Sequence, residues 1–420
     1  MASALDRHVR SEGLLADDPL QPRILVAPDS LKETIDAPSA ATAIADGVRV
    51  VLPRADVFEA PIADGGEGTL KVLAASIPDL EIHDTEVPGP RADRPPIRAR
   101  WGLRRDRRLA VVELAEASGL ARVAPADRDP MVTGTAGLGH LLETARSRLL
   151  RGGPEASELL LAVGGSSTVD GGIGAARALG MTVVGPGGPD QRPLGGVDLQ
   201  AVSRVHLEAS VLDRWEGVRL RLLADVVNPL LGPDGAARVF GPQKGADESS
   251  IERLETGLEV WARRMASLAG GPCLGAGTGA GGGGGVGLAP LLRAGSRVPG
   301  ERTADLGSHL ESGFEVVAEI VELRRRIRAS DLVITSEGSL DRQSMMGKAV
   351  GRLVGMAEEA GIPVIAVPGT SQGLDEASAA RFEVIRCLAD EVGADASWRE
   401  PFEALQRTTA IALRSWSPSD

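Results

Sequence analysis

The sequence predicts an α/β fold built as two domains, and three observations carry that expectation. Short apolar runs end in polar, glycine-rich loops; stretches with helical spacing lie between the runs; and 420 residues exceed what one core of this kind usually holds. Ligands of such folds collect at the carboxyl ends of parallel strands, so candidate residues are sought in the loops that follow the apolar runs.

Ordered structure is expected from Arg23, where Ile24-Leu25-Val26-Ala27 reads as a buried strand running into Pro28-Asp29-Ser30. The spacing from Ala37 to Val51 predicts a helix that stops before Pro53. Val57-Phe58-Glu59-Ala60-Pro61 reads as a second strand, feeding Asp64-Gly65-Gly66-Glu67-Gly68-Thr69 and another helix. Segments 82 to 87, 97 to 101 and 109 to 114 read as strands parted by Pro, Gly and Arg turns, a less regularly wound region. From Pro130 a helical stretch leads to the strand Leu159-Leu160-Leu161-Ala162-Val163, which ends in Gly164-Gly165-Ser166-Ser167-Thr168-Val169-Asp170-Gly171-Gly172. Residues 220 to 223 form a strand reaching Ala224-Asp225, and an amphipathic helix is expected over 250 to 268. A low-complexity stretch from Gly275 to Gly287 follows. Helical spacing then runs from Phe314 to Arg328, ahead of strands at 332 to 335 and 364 to 367. Strands alternating with helices imply parallel βαβ units.

Composition narrows the function. A net charge of −12, a pI near 5.1, 2% aromatic residues and no tyrosine argue against nucleic acid and against an anionic membrane surface. A small anionic ligand would need a local basic pocket. Cys273 and Cys387 have neither CxxC nor CxxH spacing, so neither a disulfide framework nor a zinc site is indicated. Met1 to Gln21 is polar and of mixed charge, without the apolar centre of a signal peptide, and no apolar run approaches the ~20 residues of a membrane span. A cytoplasmic protein is expected.

Only Lys32, Lys71, Lys244 and Lys348 among the 46 basic residues are lysine. In a chain so biased to arginine, a retained lysine points to a compact charge on a flexible stem, as phosphoryl-transfer sites use. Leftovers of a GC-rich coding bias are the alternative, and Lys71, in Thr-Leu-Lys-Val-Leu, fits that description. Lys32, Lys244 and Lys348 stand in polar, glycine-rich segments.

One string recurs: Asp64-Gly65-Gly66-Glu67-Gly68 and Asp170-Gly171-Gly172-Ile173-Gly174 both precede a helix. Glycines there let amides approach an anion at the helix N-terminus, and the aspartate could hold Mg²⁺; a tight turn with an Asp cap is the alternative. There is no GxxxxGK[ST], and the run Gly281 to Gly285 suits a mobile loop better than a dinucleotide fingerprint. Five scattered histidines offer no metal or triad spacing. Glu113 and Glu116 are expected to be solvated surface carboxylates.

Taken in order, Ala-Pro-Asp-Ser-Leu-Lys (27 to 32), Pro-Ile-Ala-Asp-Gly-Gly-Glu-Gly-Thr (61 to 69), Val-Glu-Leu-Ala-Glu-Ala-Ser-Gly-Leu (112 to 120), Val-Gly-Gly-Ser-Ser-Thr-Val-Asp-Gly-Gly (163 to 172), Ala-Asp-Val-Val-Asn-Pro-Leu-Leu-Gly (224 to 232), Val-Phe-Gly-Pro-Gln-Lys-Gly-Ala (239 to 246) and Asp-Leu-Val-Ile-Thr-Ser-Glu-Gly-Ser-Leu-Asp (331 to 341) resemble the glycerate kinase family of the bacterial glycerate 2-kinase type. The resemblance spans about residues 23 to 415. It implies a transferase that phosphorylates an organic acid, D-glycerate, from ATP with Mg²⁺, giving a phosphoglycerate with the 2-position favoured. It also implies a Rossmann-like parallel-sheet domain interrupted by a second α/β domain, with the active site in the cleft between them. The corresponding boundaries are a flexible extension over 1 to 22, the Rossmann-like domain over 23 to 82 and 304 to 417, and the inserted domain over 83 to 303. A homodimer is compatible with the resemblance, and the sequence does not fix it.

On that reading Asp225 is the candidate base, joined by Lys32, Lys244 and Asp170 in the catalytic set, the lysines neutralising substrate carboxylate and phosphates. Gly65, Gly66, Gly164, Gly165, Ser166, Thr168, Glu337 and Lys348 would hold the nucleotide, and Asp64 and Asp341 the Mg²⁺. The chain departs from the family at Glu33, Leu138, His140, Val169 and Ser339, the last where an arginine is usual. These changes are expected to face the cleft and to bear on glycerate specificity. A paralogue that binds ligand without efficient turnover is the second reading.

Overall fold

The computed structural model describes residues 21–31, 33–106, 108–150, 157–185, 188–189, 194–226, 228–269, 286–288 and 310–416. The extension up to residue 20, Lys32 and the run Gly281 to Gly285 lie outside the described residues. The chain divides into two compact units, one made of residues up to Pro61 together with Arg324 onward, the other of Ile62–Leu323. The division therefore falls about twenty residues from the expected 82/83 and 303/304 positions at both crossings. The reason is packing: helix Thr69–Ser76 lies on strands Leu80–Val87, Ile97–Arg104 and Leu109–Glu113, and helix Gly313–Ile320 lies against it and against strand Val218–Leu223. Both helices thus belong to the second unit's sheet.

The first unit is built on a five-stranded, all-parallel sheet in the order Val384–Ile385, Val364–Ala366, Leu332–Thr335, Arg23–Val26, Asp56–Glu59. Ile24, Leu25 and Val26 are fully buried, as a central parallel strand covered on both faces requires. Helix Ala37–Val51 starts where the Asp36 carboxylate accepts the Ser39 N–H (2.9 Å), with proline in its first turn. It packs on helix Pro401–Arg414, so closely that a side chain at Gly47 would lie 2.5 Å from the Gln406 carbonyl oxygen. The order of strands reverses between Arg23–Val26 and Leu332–Thr335, the position where open α/β sheets leave a crevice for ligand.

The second unit holds a six-stranded sheet in the order Leu310–Glu311, Val218–Leu223, Ser157–Ala162, Leu109–Glu113, Ile97–Arg104, Leu80–Val87. The first four strands pair in parallel, and Ile97–Arg104 pairs antiparallel with both Leu109–Glu113 and Leu80–Val87, which is the irregular winding expected of residues 82 to 114. A small antiparallel sheet (Gly188–Pro189, Thr182–Gly185, Arg204–His206) adds to it. Helix Glu248–Ala269 buries Leu254, Leu258 and Trp261 completely, and the Trp261 indole donates to the Gly171 carbonyl at 2.9 Å. The single helix expected over 314 to 328 is two, Gly313–Ile320 and Leu323–Arg328, broken where Glu322 takes φ +53°. Among the described residues no helix is long and apolar enough to cross a membrane.

Candidate active-site residues

In the second unit, three parallel strands deliver their following loops side by side. Val163 N–H bonds to the Leu223 carbonyl, Ala224 N–H to the Glu311 carbonyl, and Gly164 N–H to the Gly65 carbonyl, so the loops after residues 162, 223 and 311 and the Asp64 turn form one group. Asp225 sits there half-buried. Its carboxylate accepts the Ser312 hydroxyl (2.6 Å) and the Phe314 N–H (2.9 Å) at the start of helix Gly313–Ile320, which fixes its orientation. Ser312, 87 residues away in sequence, gave no signal of this pairing.

The two Asp-Gly-Gly turns differ from expectation. The N-terminus of helix Thr69–Ser76 is filled by the protein's own Glu113, whose carboxyl accepts the Leu70 N–H. Glu113 is 3% exposed rather than solvated, and burial, opposed by backbone N–H groups of Leu70 and Gly68, pushes it up to about 7. Glu116 is buried too, gripped by Arg100 and Arg122. Gly65 (φ +82°), Gly66 and Gly164 serve backbone packing: a Cβ at Gly164 would lie 2.5 Å from Gly66 Cα, and one at Gly65 2.9 Å from Gly313 Cα. These glycines bring loops together. Asp64 remains half-buried, with Oδ1 accepting the Gly66 N–H of its own turn at 2.9 Å.

Asp170 is fully buried. It accepts Thr135 N–H (2.9 Å), Thr135 Oγ1–H (2.7 Å), Gly172 N–H (3.1 Å) and Gly174 N–H (3.4 Å), so its oxygens are engaged in closing the helix that follows rather than presented at the surface. Burial pushes its pKa up against those donors. Lys244 is 4% exposed and gives its ammonium to Ser166 Oγ and the Thr168 carbonyl, both at 2.7 Å. Burial lowers it to about 7, with the Asp170 charge opposing. Direct neutralisation of a substrate by Lys244 is therefore replaced by internal bonding. Thr168 is fully buried, whereas Gly165 is exposed and Ser166 is 8% exposed.

In the first unit, the strand ends at the reversal point carry Asp29 and Glu337. The Asp29 N–H donates to the Ser336 carbonyl at 2.8 Å, holding the two loops together. Burial pushes the Glu337 carboxyl up to about 7, helped by the charge of Asp29 and opposed by Ser344 and Lys348, and its Oε1 is buried without a hydrogen-bond partner among the described residues. Asp341 caps helix Arg342–Met345 by accepting the Ser344 N–H at 2.9 Å. Its partial burial is outweighed by that bond and by Lys348, and its pKa lies below the usual range. Lys348 is exposed at the N-terminus of helix Ala349–Ala360, after Gly347 at φ +109°. Among the described residues no three His, Cys, Asp or Glu side chains converge on one point. Mg²⁺ asks for less, since it commonly keeps water and phosphate oxygens and takes one or two carboxylates, and the half-buried Asp64 fits that demand.

Of the departures, Leu138 and Val169 are fully buried core residues and face no ligand, while Glu33, His140 and Ser339 are exposed.

Residues 24–417 match the model of the glycerate kinase family. The chain is 36% identical over 349 residues to the glycerate 2-kinase of Escherichia coli (strain K12), covering 83% of this chain and 85% of that protein. It is 38% identical over 349 residues to the glycerate kinase of Bacillus subtilis (strain 168), with the same coverage. A crystal structure of a candidate glycerate kinase 2 from Salmonella typhimurium LT2 superposes with a TM-score of 0.73 at 31% identity, covering 94% of this chain and 98% of that one. With its parallel-sheet units, its strand-end carboxylates and these likenesses, the chain belongs to the glycerate kinase family and is a kinase.

Proposed function

We propose that this kinase phosphorylates D-glycerate from ATP with Mg²⁺, giving 2-phosphoglycerate. The observation that carries the reading is Asp225: a half-buried carboxylate at a strand end, held by Ser312 and Phe314 in one orientation, is the group a phosphoryl acceptor needs to lose its hydroxyl proton. Mg²⁺, when bound, would neutralise phosphate charge, and Asp64 is the residue of the second unit that would hold it; Asp341, engaged as a helix cap, is the weaker of the two carboxylates expected there. Lys348 offers its charge at a helix N-terminus in the first unit, where phosphate oxygens are favoured. Glu337 and Asp29 lie beside it at the sheet's reversal point and would set the charge of that crevice. The names of the E. coli and B. subtilis relatives support glycerate as acceptor.

A coupled assay of ADP release, with and without D-glycerate at saturating Mg²⁺, tests the reading. Glycerate-dependent release with 2-phosphoglycerate as product is expected. If only another hydroxy acid supports release, the acceptor assignment fails while the kinase stands. Ser339→Arg gives a second handle. Restoring the family's usual arginine at this exposed position should raise kcat/KM for glycerate if the parent lacks only that contact, and should not if another acid is preferred.

A further inference from the structure

The retained lysine at 244 does not reach the surface, and its contacts explain what it does instead. Its backbone is locked: Lys244 N–H bonds to the Gly241 carbonyl at 2.9 Å, and Gly245 takes φ +95° against Arg128, with no room for a side chain. From there the ammonium runs inward to two acceptors in the loop after strand Ser157–Ala162, Ser166 Oγ and the Thr168 carbonyl. Exposure falls step by step along this loop: Gly165 is exposed, Ser166 is 8% exposed, Ser167 2%, and Thr168 and Asp170 0%. Ser166 is thus the outermost polar side chain of a buried charged cluster. The loop surfaces beside Glu67 and the Asp64 turn, since a Cβ at Gly165 would lie 3.3 Å from Glu67 Cβ and Gly164 meets Gly66.

A hydroxyl that accepts a bond from an ammonium becomes a stronger donor through its own proton, and the accepted bond also restricts where that proton points. Inside the fold the Ser166 O–H meets only the Thr168 carbonyl, at a long 3.5 Å and already taken by the Lys244 ammonium at 2.7 Å, so its stronger bond is open to an acceptor on the loop's exposed side. We propose that Ser166 is a substrate-touching residue whose O–H donates to an anionic oxygen, and that Lys244 is a positioning residue that acts on this anion only through Ser166. The oxygen belongs either to the carboxylate of the acceptor acid or to a phosphate of the nucleotide. The inference rests on the kinase reading above and deepens it.

The test compares the parent with Ser166→Ala, Ser166→Thr, Lys244→Met and the Ser166→Ala/Lys244→Met pair, reading kcat, KM for D-glycerate and KM for ATP. Ser166→Ala should lower kcat/KM by about 10–150-fold, the range for a lost bond to a charged group. Lys244→Met should cost a similar factor, and the pair should be worse than the poorer single variant by no more than about threefold, because both act on one contact. Ser166→Thr, which keeps the hydroxyl, should recover most of the loss. A rise confined to the KM for glycerate assigns the carboxylate, and one confined to ATP assigns the phosphate. Full additivity, or a Ser166→Ala enzyme with parental kcat/KM, overturns the proposal. Thermal stabilisation by D-glycerate and by inorganic phosphate is measured on the same five proteins. If the parent turns over no hydroxy acid, the kinase reading fails, and the inference is then decided by binding: equal stabilisation of the parent and Ser166→Ala overturns it, and stabilisation lost in Ser166→Ala and Lys244→Met alike upholds it. Should Lys244→Met not fold, Ser166→Ala against Ser166→Thr still decides.

Discussion

The two Asp-Gly-Gly turns of the second unit read alike in sequence and do opposite things. Asp64 keeps its carboxylate half-buried and spends one oxygen on its own turn, while the helix that follows is closed by a carboxyl from elsewhere, Glu113. Asp170 closes its own helix, is fully buried and accepts four donors. The difference lies in what stands beside each turn. Glu113 ends the neighbouring strand Leu109–Glu113 and reaches the Leu70 amide, which releases Asp64; among the described residues no such neighbour relieves Asp170. A recurrent string therefore specifies a backbone turn, and the tertiary surroundings decide whether its carboxylate stays available to a ligand.

The sharpest way to break this division is Asp225→Asn. Asp225 belongs with Asp64 on the available side, and if it is the base, turnover should fall by roughly 10²–10⁴-fold. Stability should change little, because the amide oxygen can still accept the Phe314 N–H and the amide nitrogen can donate to Ser312 Oγ. Near-parental turnover would place the base elsewhere.

The next effect is on pH dependence. Burial lifts the folded-state pKa of Glu113 to about 7 from 4.5, so the folded chain binds this proton more tightly than the unfolded one. The sign follows: its contribution is fully present below the unfolded value of 4.5 and is lost as pH rises through about 7. At 1.36 kcal/mol per unit, the swing is roughly 3 kcal/mol at most. Glu113→Gln keeps an acceptor for Leu70 and cannot ionise. Urea midpoints of parent and variant at pH 5 and pH 8 should converge at the lower pH, with Glu113→Gln the more stable at the higher. Parallel curves would show that Glu113 does not carry the charge assigned to it.

How much of this was legible follows from range. Strands Arg23–Val26 and Leu332–Thr335 and helix Ala37–Val51 are written in local periodicity and a local cap, and the sequence shows them. The loops that hold Asp225, Ser166 and Glu337 are legible as strand ends. Their partners were not, because Ser312–Asp225, Lys244–Ser166 and Glu113–Leu70 join residues 87, 78 and 43 positions apart. Leu138 and Val169 were misplaced toward a ligand for the same reason, since a polar motif does not reveal that its apolar member points into the core. Glu33 shows the reverse. It is one of the departures named from the sequence, and its φ of +67° is the conformation a glycine adopts without strain.

The last two predictions set the paired turns directly against each other. Asp170→Asn replaces a buried carboxylate whose Oδ1 accepts Gly172 N–H with a group that can present an N–H there instead, so one buried donor loses its acceptor. That costs ~1–3 kcal/mol, read as a lowered urea midpoint. Asp64→Asn makes the same chemical change in the same local string, yet its turn is half-exposed and its single bond to Gly66 can be kept by the amide oxygen. Stability should stay within about 0.5 kcal/mol of the parent, as for substitutions away from buried networks. What should move instead is the Mg²⁺ titration of activity, shifted to higher concentration because a neutral amide is a poorer ligand for a hard cation than a carboxylate. Equal losses of stability in the two variants would show that the turns are equivalent after all. A parental Mg²⁺ titration in Asp64→Asn would remove Asp64 from the metal's surroundings and leave Glu113 as a cap with no carboxylate released by it.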